Sequence, residues 1–205
     1  MINFYNKHRA ESLDDFYEND QDLEHLRNFV ATKSIPPALL FYGQPGVGKT
    51  SLARIMAKEL AISKLNLLEV NCAYFTGVQA MRKAVIKNIH YRPFGGGSKG
   101  YILDEVQMLS KAAQNVLLKD LEEPPEGVYF FLCTTDPKDL IPAIISRSTL
   151  IQLYPLKKEV MCNYINQIAK KEGITLSQSV VDAIAVHSKG NPREALKILQ
   201  TNQSL

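Results

Sequence analysis

The sequence predicts an α/β chain: a five-stranded parallel sheet flanked by helices, followed by a small three-helix lid domain. Three observations predict it. Short apolar runs alternate with stretches of helical periodicity, the pattern of a parallel sheet covered on both faces. The loop after the first run, "GQPGVGKT" (43–50), sits between a strand-like and a helix-like segment. After Pro155 the apolar runs cease, and only amphipathic helical segments follow.

The elements follow in order. "ALLFY" (38–42) reads as the first strand, and "TSLARIMAKELA" (50–61) has helical periodicity. "NLLEV" (66–70) reads as a second strand, and "VQAMRKAVIKNIH" (78–90) as an amphipathic helix. "GGGSKG" punctuates the chain before the strand "YILD" (101–104). Ser110 can N-cap "KAAQNVLLKDLEE", which must stop at Pro124-Pro125. "VYFFLC" (128–133) and "TLIQL" (149–153) complete the sheet. "KKEVMCNYINQIAKKEG", "TLSQSVVDAIAVHSKG" and "NPREALKILQ" then read as three helices, with Gly173 and Gly190 where helix C-termini fall. A boundary near 154–157 gives a nucleotide-binding α/β domain over 1–155 and a helical lid over 156–205.

Composition bounds the function. A 205-residue chain with 45% hydrophobic residues has ample material for a core. The net charge of +3 is too small to argue for a nucleic-acid partner by itself, but its distribution is uneven. Residues 1–40 carry seven acids (Glu11, Asp14, Asp15, Glu18, Asp20, Asp22, Glu24) against four bases. From Val70 to Leu103 there is no acid, while Arg82, Lys83, Lys87, Arg92 and Lys99 fall inside the window, as on a face that meets a polyanion or as on a solvated face. Cys72, Cys133 and Cys162 show no Cys-x-x-Cys spacing, which argues for a reducing compartment and against a zinc site. The sequence carries neither a secretory signal nor an 18-residue apolar run, so a soluble cytoplasmic protein with no membrane partner is expected.

The chemistry lies in two motifs. Gly43, Gly48, Lys49 and Thr50 fit G-x-x-x-x-G-K-[ST], the P-loop (Walker A) pattern, so Gly43, Gln44, Pro45, Gly46, Val47, Gly48, Lys49, Thr50 and Ser51 are the expected nucleotide-binding residues. Glycines let such a loop curl so that backbone N–H groups point at phosphate oxygens, and the following helix adds its positive end. Lys49 adds a mobile cation, and Thr50 offers a hydroxyl to Mg²⁺. In "YILDEVQ" (101–107), Walker B in type, an apolar strand ends in Asp104, expected to hold Mg²⁺ through water. Glu105 follows, placed to polarise a water for attack on the γ-phosphate of ATP.

With these motifs the sequence resembles an AAA+ P-loop ATPase, and within that group the motor subunits of sliding-clamp loaders, in the pattern of the bacterial DNA polymerase III gamma/tau subunits. "LLKDLEEPPEGVYFFLCTTDP" (117–137) and "LIPAIISRS" (140–148) carry the resemblance, which runs from about residue 35 to residue 200. It implies that Thr135 is a sensor for the γ-phosphate or attacking water. It implies that Arg147, in "SRS", is an arginine finger reaching a neighbouring subunit's nucleotide, and that Arg193, in "GNPREAL", is a second sensor carried on the lid. The implied activity is Mg²⁺-dependent ATP hydrolysis coupled to opening a sliding clamp and loading it on primer–template DNA during replication. The implied partners are the clamp, the DNA and other AAA+ subunits of a ring. A non-hydrolysing structural subunit of the same ring and a DNA-remodelling AAA+ motor are the alternatives. Three departures stand out. Ser148 replaces the family's cysteine, "KHRA" (7–10) replaces Lys-Tyr-Arg-Pro in the segment that wraps the adenine, and "ISKLN" stands where bacterial relatives carry a zinc module, so no zinc is expected. Clamp-loader subunits continue into a third, helical collar domain, and the sequence stops at Leu205, before any such collar.

Helix 78–90 carries the DNA expectation. At roughly 100° per residue Val78, Met81, Val85 and Ile89 share one face, with Lys83, Lys87 and His90 opposite and Arg82 at the flank. In clamp loaders the matching helix touches DNA phosphates, so Arg82, Lys83 and Lys87 are the expected DNA-binding residues. Phe75 and Gly77 stand where relatives tend to carry bases.

Overall fold

Pleat alternation splits the apolar strand residues between two faces, and that division organises the molecule. The computed structural model describes residues 3–17, 22–74 and 76–201, so Glu18, Asp20 and Phe75 lie outside the described residues. Strands β1 (Ala38–Tyr42), β2 (Leu67–Asn71), β3 (Lys99–Asp104), β4 (Val128–Thr134) and β5 (Thr149–Gln152) form one parallel sheet in the order β2-β3-β4-β1-β5. Leu40, Leu103, Phe130 and Leu132 point to one face. Their neighbours Leu39, Phe41, Ile102, Phe131 and Cys133 point to the other. Because both faces are buried at the centre of the sheet, β1, β3 and β4 carry near-continuous apolar runs, while the edge strands β2 and β5 are partly exposed.

Helices cover each face. On one side lie α6 (Lys111–Glu122), the short α7 (Pro142–Ser146) and the segment over residues 78–89. On the other lie α2 (Asp22–Ala31), through Leu23 and Leu26, and α3 (Lys49–Glu59), through Leu52, Ala53 and Met56. Ser110 caps α6 as expected, its Oγ accepting from the Ala113 N–H at 3.2 Å. The lid is α8 (Lys158–Lys171), α9 (Gln178–His187) and α10 (Pro192–Thr201) around their own cluster of Met161, Ile165, Val181, Ile184 and Leu196.

The structure departs from the sequence reading in three places. Strand β3 begins at Lys99, because Lys99 N–H donates to Gly127 O (2.8 Å) and Gly100 N–H to Asn66 O (3.0 Å). The segment expected as a uniform helix over 78–90 is α4 (Val78–Met81), a π-helical stretch (Arg82–Ile86) and α5 (Lys87–Ile89), with His90 as its C-cap. Its end is held by side chains: Asn88 Nδ2 donates to Ala84 O (3.0 Å), and Lys99 Nζ donates to Asn88 O (2.6 Å) and Tyr91 O (2.8 Å). Such partners let the last turns leave the regular ladder. Lys99 is therefore a helix-end clamp, not part of a free basic face. The third departure is at the start of the chain, where no element was foreseen: α1 (Phe4–Lys7) packs Phe4 into the lid cluster, away from the sheet, and α2 packs Leu23 and Leu26 on the sheet.

The candidate nucleotide site

β1, β3 and β4 are neighbours in the sheet, so the loops after their C-terminal ends meet at one edge. Asp104 is the last residue of β3, and the phosphate-loop residues, Glu105 and Thr135 lie just beyond the strand ends. An open cleft lies there between the sheet edge and the lid. Its lining includes 45–51 of the loop, Asp104, Glu105 and Arg193, together with Tyr5, Arg9, Tyr17 and Tyr164.

The loop's backbone explains its glycines. Gly43 has φ +149°, and a Cβ on it would lie 2.2 Å from the Leu153 carbonyl oxygen; Gly46 has φ +85°. Val47 is buried in the core and anchors the loop, while Gly48 precedes α3 with no side-chain cap, leaving the first helical N–H groups open toward the cleft. Gly43 and Gln44 do not line the cleft; their carbonyls accept from Lys49 Nζ at 2.8 and 3.0 Å. Lys49 is 5% exposed. Burial pushes its ammonium below the ordinary lysine value, with Glu105 and Asp104 pulling it back up and Arg193 pushing it further down. A buried ammonium held by neutral carbonyls is matched better by an anion, which is what a phosphate supplies.

Thr50 Oγ1 donates to Asp104 Oδ2 at 2.8 Å, so the two expected metal ligands are already together. Hydroxyl and carboxylate are oxygen donors, which fit a hard cation such as Mg²⁺. Glu105 takes a left-handed backbone, φ +54°, turning out of β3. Gln107 Nε2 donates to Glu105 Oε2 (2.5 Å) and to Thr135 Oγ1 (3.2 Å), joining the expected base to the expected sensor. A carboxylate cannot donate, so the amide nitrogen must face Glu105; Gln107 Oε1 is left buried with no hydrogen-bond partner among the described residues.

The other end of the cleft is aromatic and cationic. The guanidinium carbons of Arg9 and Arg193 lie 5.9 and 5.1 Å from the Tyr5 ring centroid. Tyr17 packs edge-on against Tyr164 (5.1 Å) and donates its hydroxyl to Gln167 Oε1. The leading segment is fastened to the lid, where Glu172 accepts from Lys7 Nζ at 2.9 Å and also contacts His8 Nε2. Those two partners, Lys7 first, hold the Glu172 carboxyl below the usual carboxylate range.

Arg147 does not line its own chain's cleft. It C-caps α7, donating to Ala143 O (3.1 Å) and Glu122 Oε2 (3.1 Å), with its buried Nε unpartnered among the described residues. Arg82, Lys83 and Lys87 are exposed, over a face in which Met81, Val85 and Ile89 are buried. His90, expected among the outward bases, turns its Nε2 to within 3.3 Å of the buried Asp120 Oδ1. None of the cysteines is a candidate nucleophile: burial pushes the Cys72 thiol up to about 12 and Cys133 well above its ordinary value, and Cys162 is raised too.

Sequence reasoning did not single out Tyr5, Arg9, Tyr17, Tyr164, Gln107 or Asn191 as site residues. Two carried a signal: Arg9 lies in the "KHRA" segment, and Asn191 directly precedes a proline at a helix start.

Comparison with known proteins bears on the fold and the family. Residues 75–157 match the family described as DNA polymerase III, delta subunit, and residues 163–203 match the RCF1/5-like AAA+ ATPase lid domain. The chain is 36% identical over 202 residues to the replication factor C small subunit of Methanococcus vannielii, covering 97% of this chain and 64% of that protein. It is 34% identical over 220 residues to the DNA polymerase III subunit tau of Escherichia coli, covering 97% of this chain and 34% of that protein. Among solved structures, the Thermotoga maritima RuvB Holliday junction branch migration motor superposes with a TM-score of 0.77 at 24% identity, over 94% of this chain and 64% of that one. That likeness shows the fold. The chain spans a little under two thirds of the length of the replication factor C small subunits it matches. No helix among the described residues is long and apolar enough to cross a membrane.

Proposed function

Starting from an AAA+ chain related to the replication factor C small subunits and to the DNA polymerase III gamma and tau subunits, we propose that it is the ATP-driven motor subunit of a sliding-clamp loader. The observation that carries the reading is the meeting of Lys49, Thr50, Asp104, Glu105 and Arg193 on one cleft between the sheet edge and the helical lid. The open N–H groups of the loop and the Lys49 ammonium hold the phosphates of ATP. Thr50 and Asp104 would hold Mg²⁺, which supplies charge neutralisation at the phosphates when bound. The Glu105 carboxylate takes the proton of the attacking water, Thr135 hydrogen-bonds that water or the γ-phosphate, and Arg193 meets developing charge from the lid side. The aromatic end takes the base. Arg147 leaves Glu122 to reach the nucleotide of a neighbouring subunit, and Arg82, Lys83 and Lys87 meet DNA phosphates. ATP binding then assembles a ring that holds an open clamp in the cytoplasm, and primer–template DNA triggers hydrolysis and release, so hydrolysis times a conformational switch.

The test is the ATPase rate of the chain assembled with its ring partners, with and without primer–template DNA and candidate clamps. Stimulation that needs both DNA and a clamp is expected. Stimulation by DNA that no clamp increases would replace this reading with a DNA-remodelling motor, and ATP binding without turnover under any condition would replace it with a structural subunit. In mixed rings, combining Arg147→Ala with Lys49→Ala subunits should recover activity that neither has alone.

A further inference from the structure

Asn191 lies in the turn between α9 and α10, directly before Pro192. Its carboxamide is engaged from both ends. Oδ1 accepts from the backbone N–H groups of Arg193 (3.0 Å) and Glu194 (3.3 Å), capping the first turn of α10. Nδ2 donates to the carbonyl of Pro45 at 2.8 Å, across to the phosphate loop of the other domain. The amide's orientation is determined by these partners, since backbone N–H groups require the oxygen and a carbonyl requires the nitrogen. The approach is close: a Cβ on Gly46 would lie 2.4 Å from Asn191 Oδ1, so the loop admits this side chain because Gly46 has none. The same turn is held on its other side, where Leu156 N–H donates to Gly190 O at 2.8 Å.

We propose that Asn191 is a positioning residue that ties the orientation of α10, and hence of Arg193, to the conformation of the phosphate loop at Pro45–Gly46. The inference rests on the reading of the cleft as an ATP site. One side chain both starts the helix that carries Arg193 and grips the loop that cradles phosphate. Filling the loop and placing Arg193 are therefore one event, not two.

A helix cap alone would produce half of this geometry, so the test separates cap from grip. Asn191→Ser keeps a capping oxygen but is too short to reach Pro45 O; Asn191→Asp keeps the cap and sets a carboxylate against the carbonyl. Binding of a fluorescent ATP analogue to the 205-residue chain is measured for each, alone and combined with Arg193→Ala, beside thermal melting. Asn191→Ser should melt like the parent and bind the analogue about 5- to 10-fold more weakly, the loss of one hydrogen bond, with Asn191→Asp weaker still. On the Arg193→Ala background the Ser substitution should change affinity less than about twofold, because its effect passes through Arg193. Parent-like affinity of the Ser variant, or an equal loss on both backgrounds, overturns the proposal while leaving the ATP reading intact. Failure of the parent chain to bind the analogue overturns the ATP reading itself, and the inference with it.

Discussion

The two ends of the cleft are built by opposite means. The phosphate end comes from loops that leave adjacent parallel strands and contribute residues consecutive in the chain, 45–51 and Asp104 with Glu105, while Thr135 on a third loop stands behind them, joined to Glu105 through Gln107. The aromatic end gathers Tyr5, Arg9, Tyr17, Tyr164 and Arg193 from both extremes of the sequence, brought together by the packing of the leading segment on the lid and by its polar ties there, Lys7 and His8 to Glu172 and Tyr17 to Gln167. A site hung on a sheet edge is as rigid as the sheet. A site shared with a lid is as well placed as the lid is. The phosphate end should therefore govern chemistry and the aromatic end affinity.

The largest effect should come from the rigid end. Glu105→Gln should retain ATP binding and lower hydrolysis by about 10²- to 10⁴-fold, the usual worth of a positioned general base. Wild-type turnover in that variant would remove Glu105 from its role. A smaller effect tests whether the rigid end is internally braced: Gln107→Ala frees Glu105 and Thr135 from their common partner and should lower kcat by about 10- to 100-fold with ATP affinity retained. If affinity falls and kcat does not, Gln107 shapes the pocket and braces nothing.

At the other end Tyr5→Ala should weaken ATP binding by roughly 5-fold, one stacked ring's worth, with little change in kcat. A kcat effect as large as that of Gln107→Ala would erase the distinction between the ends. The smallest effect concerns the fastening of the leading segment. The carboxyl of Glu172 is held below its ordinary value, so its contribution is complete above about pH 4.3, the unfolded carboxylate value, and disappears as pH falls through the folded one. Glu172→Gln should melt slightly earlier than the parent at neutral pH, and the two melting curves should converge as the pH falls through the lowered value of the folded carboxyl. A difference that does not shrink as the pH is lowered would mean that the glutamate acts by shape and not by charge.

The same contrast explains what could be read in advance. β1 and the phosphate loop were legible residue by residue, because a run buried on both faces followed by closely spaced glycines has few other solutions. The Ser110 cap and the proline stop of α6 were local too. Tyr5, Tyr17 and Tyr164 carry no such signature: a tyrosine near a helix reads the same whether it faces a ligand or solvent, and what selects these is Phe4 buried in the lid core 150 residues away. Gln107 looked like an ordinary residue after a strand, since its partners come from two different loops. The π-helical stretch at Arg82–Ile86 was invisible because Met81, Val85 and Ile89 keep a regular helical spacing through it.

Because α1 travels with the lid, through Phe4 in its core and Phe4 N–H donating to Gln200 Oε1 at 3.0 Å, the chain crosses between the two bodies twice, once at residues 8–17 and once at residues 153–157. A panel fixed at one point can swing in any direction; hung from two, it turns about the line that joins them. The lid is mounted like a door on a pair of hinges, and cutting the chain between residues 8 and 17 would leave it on one.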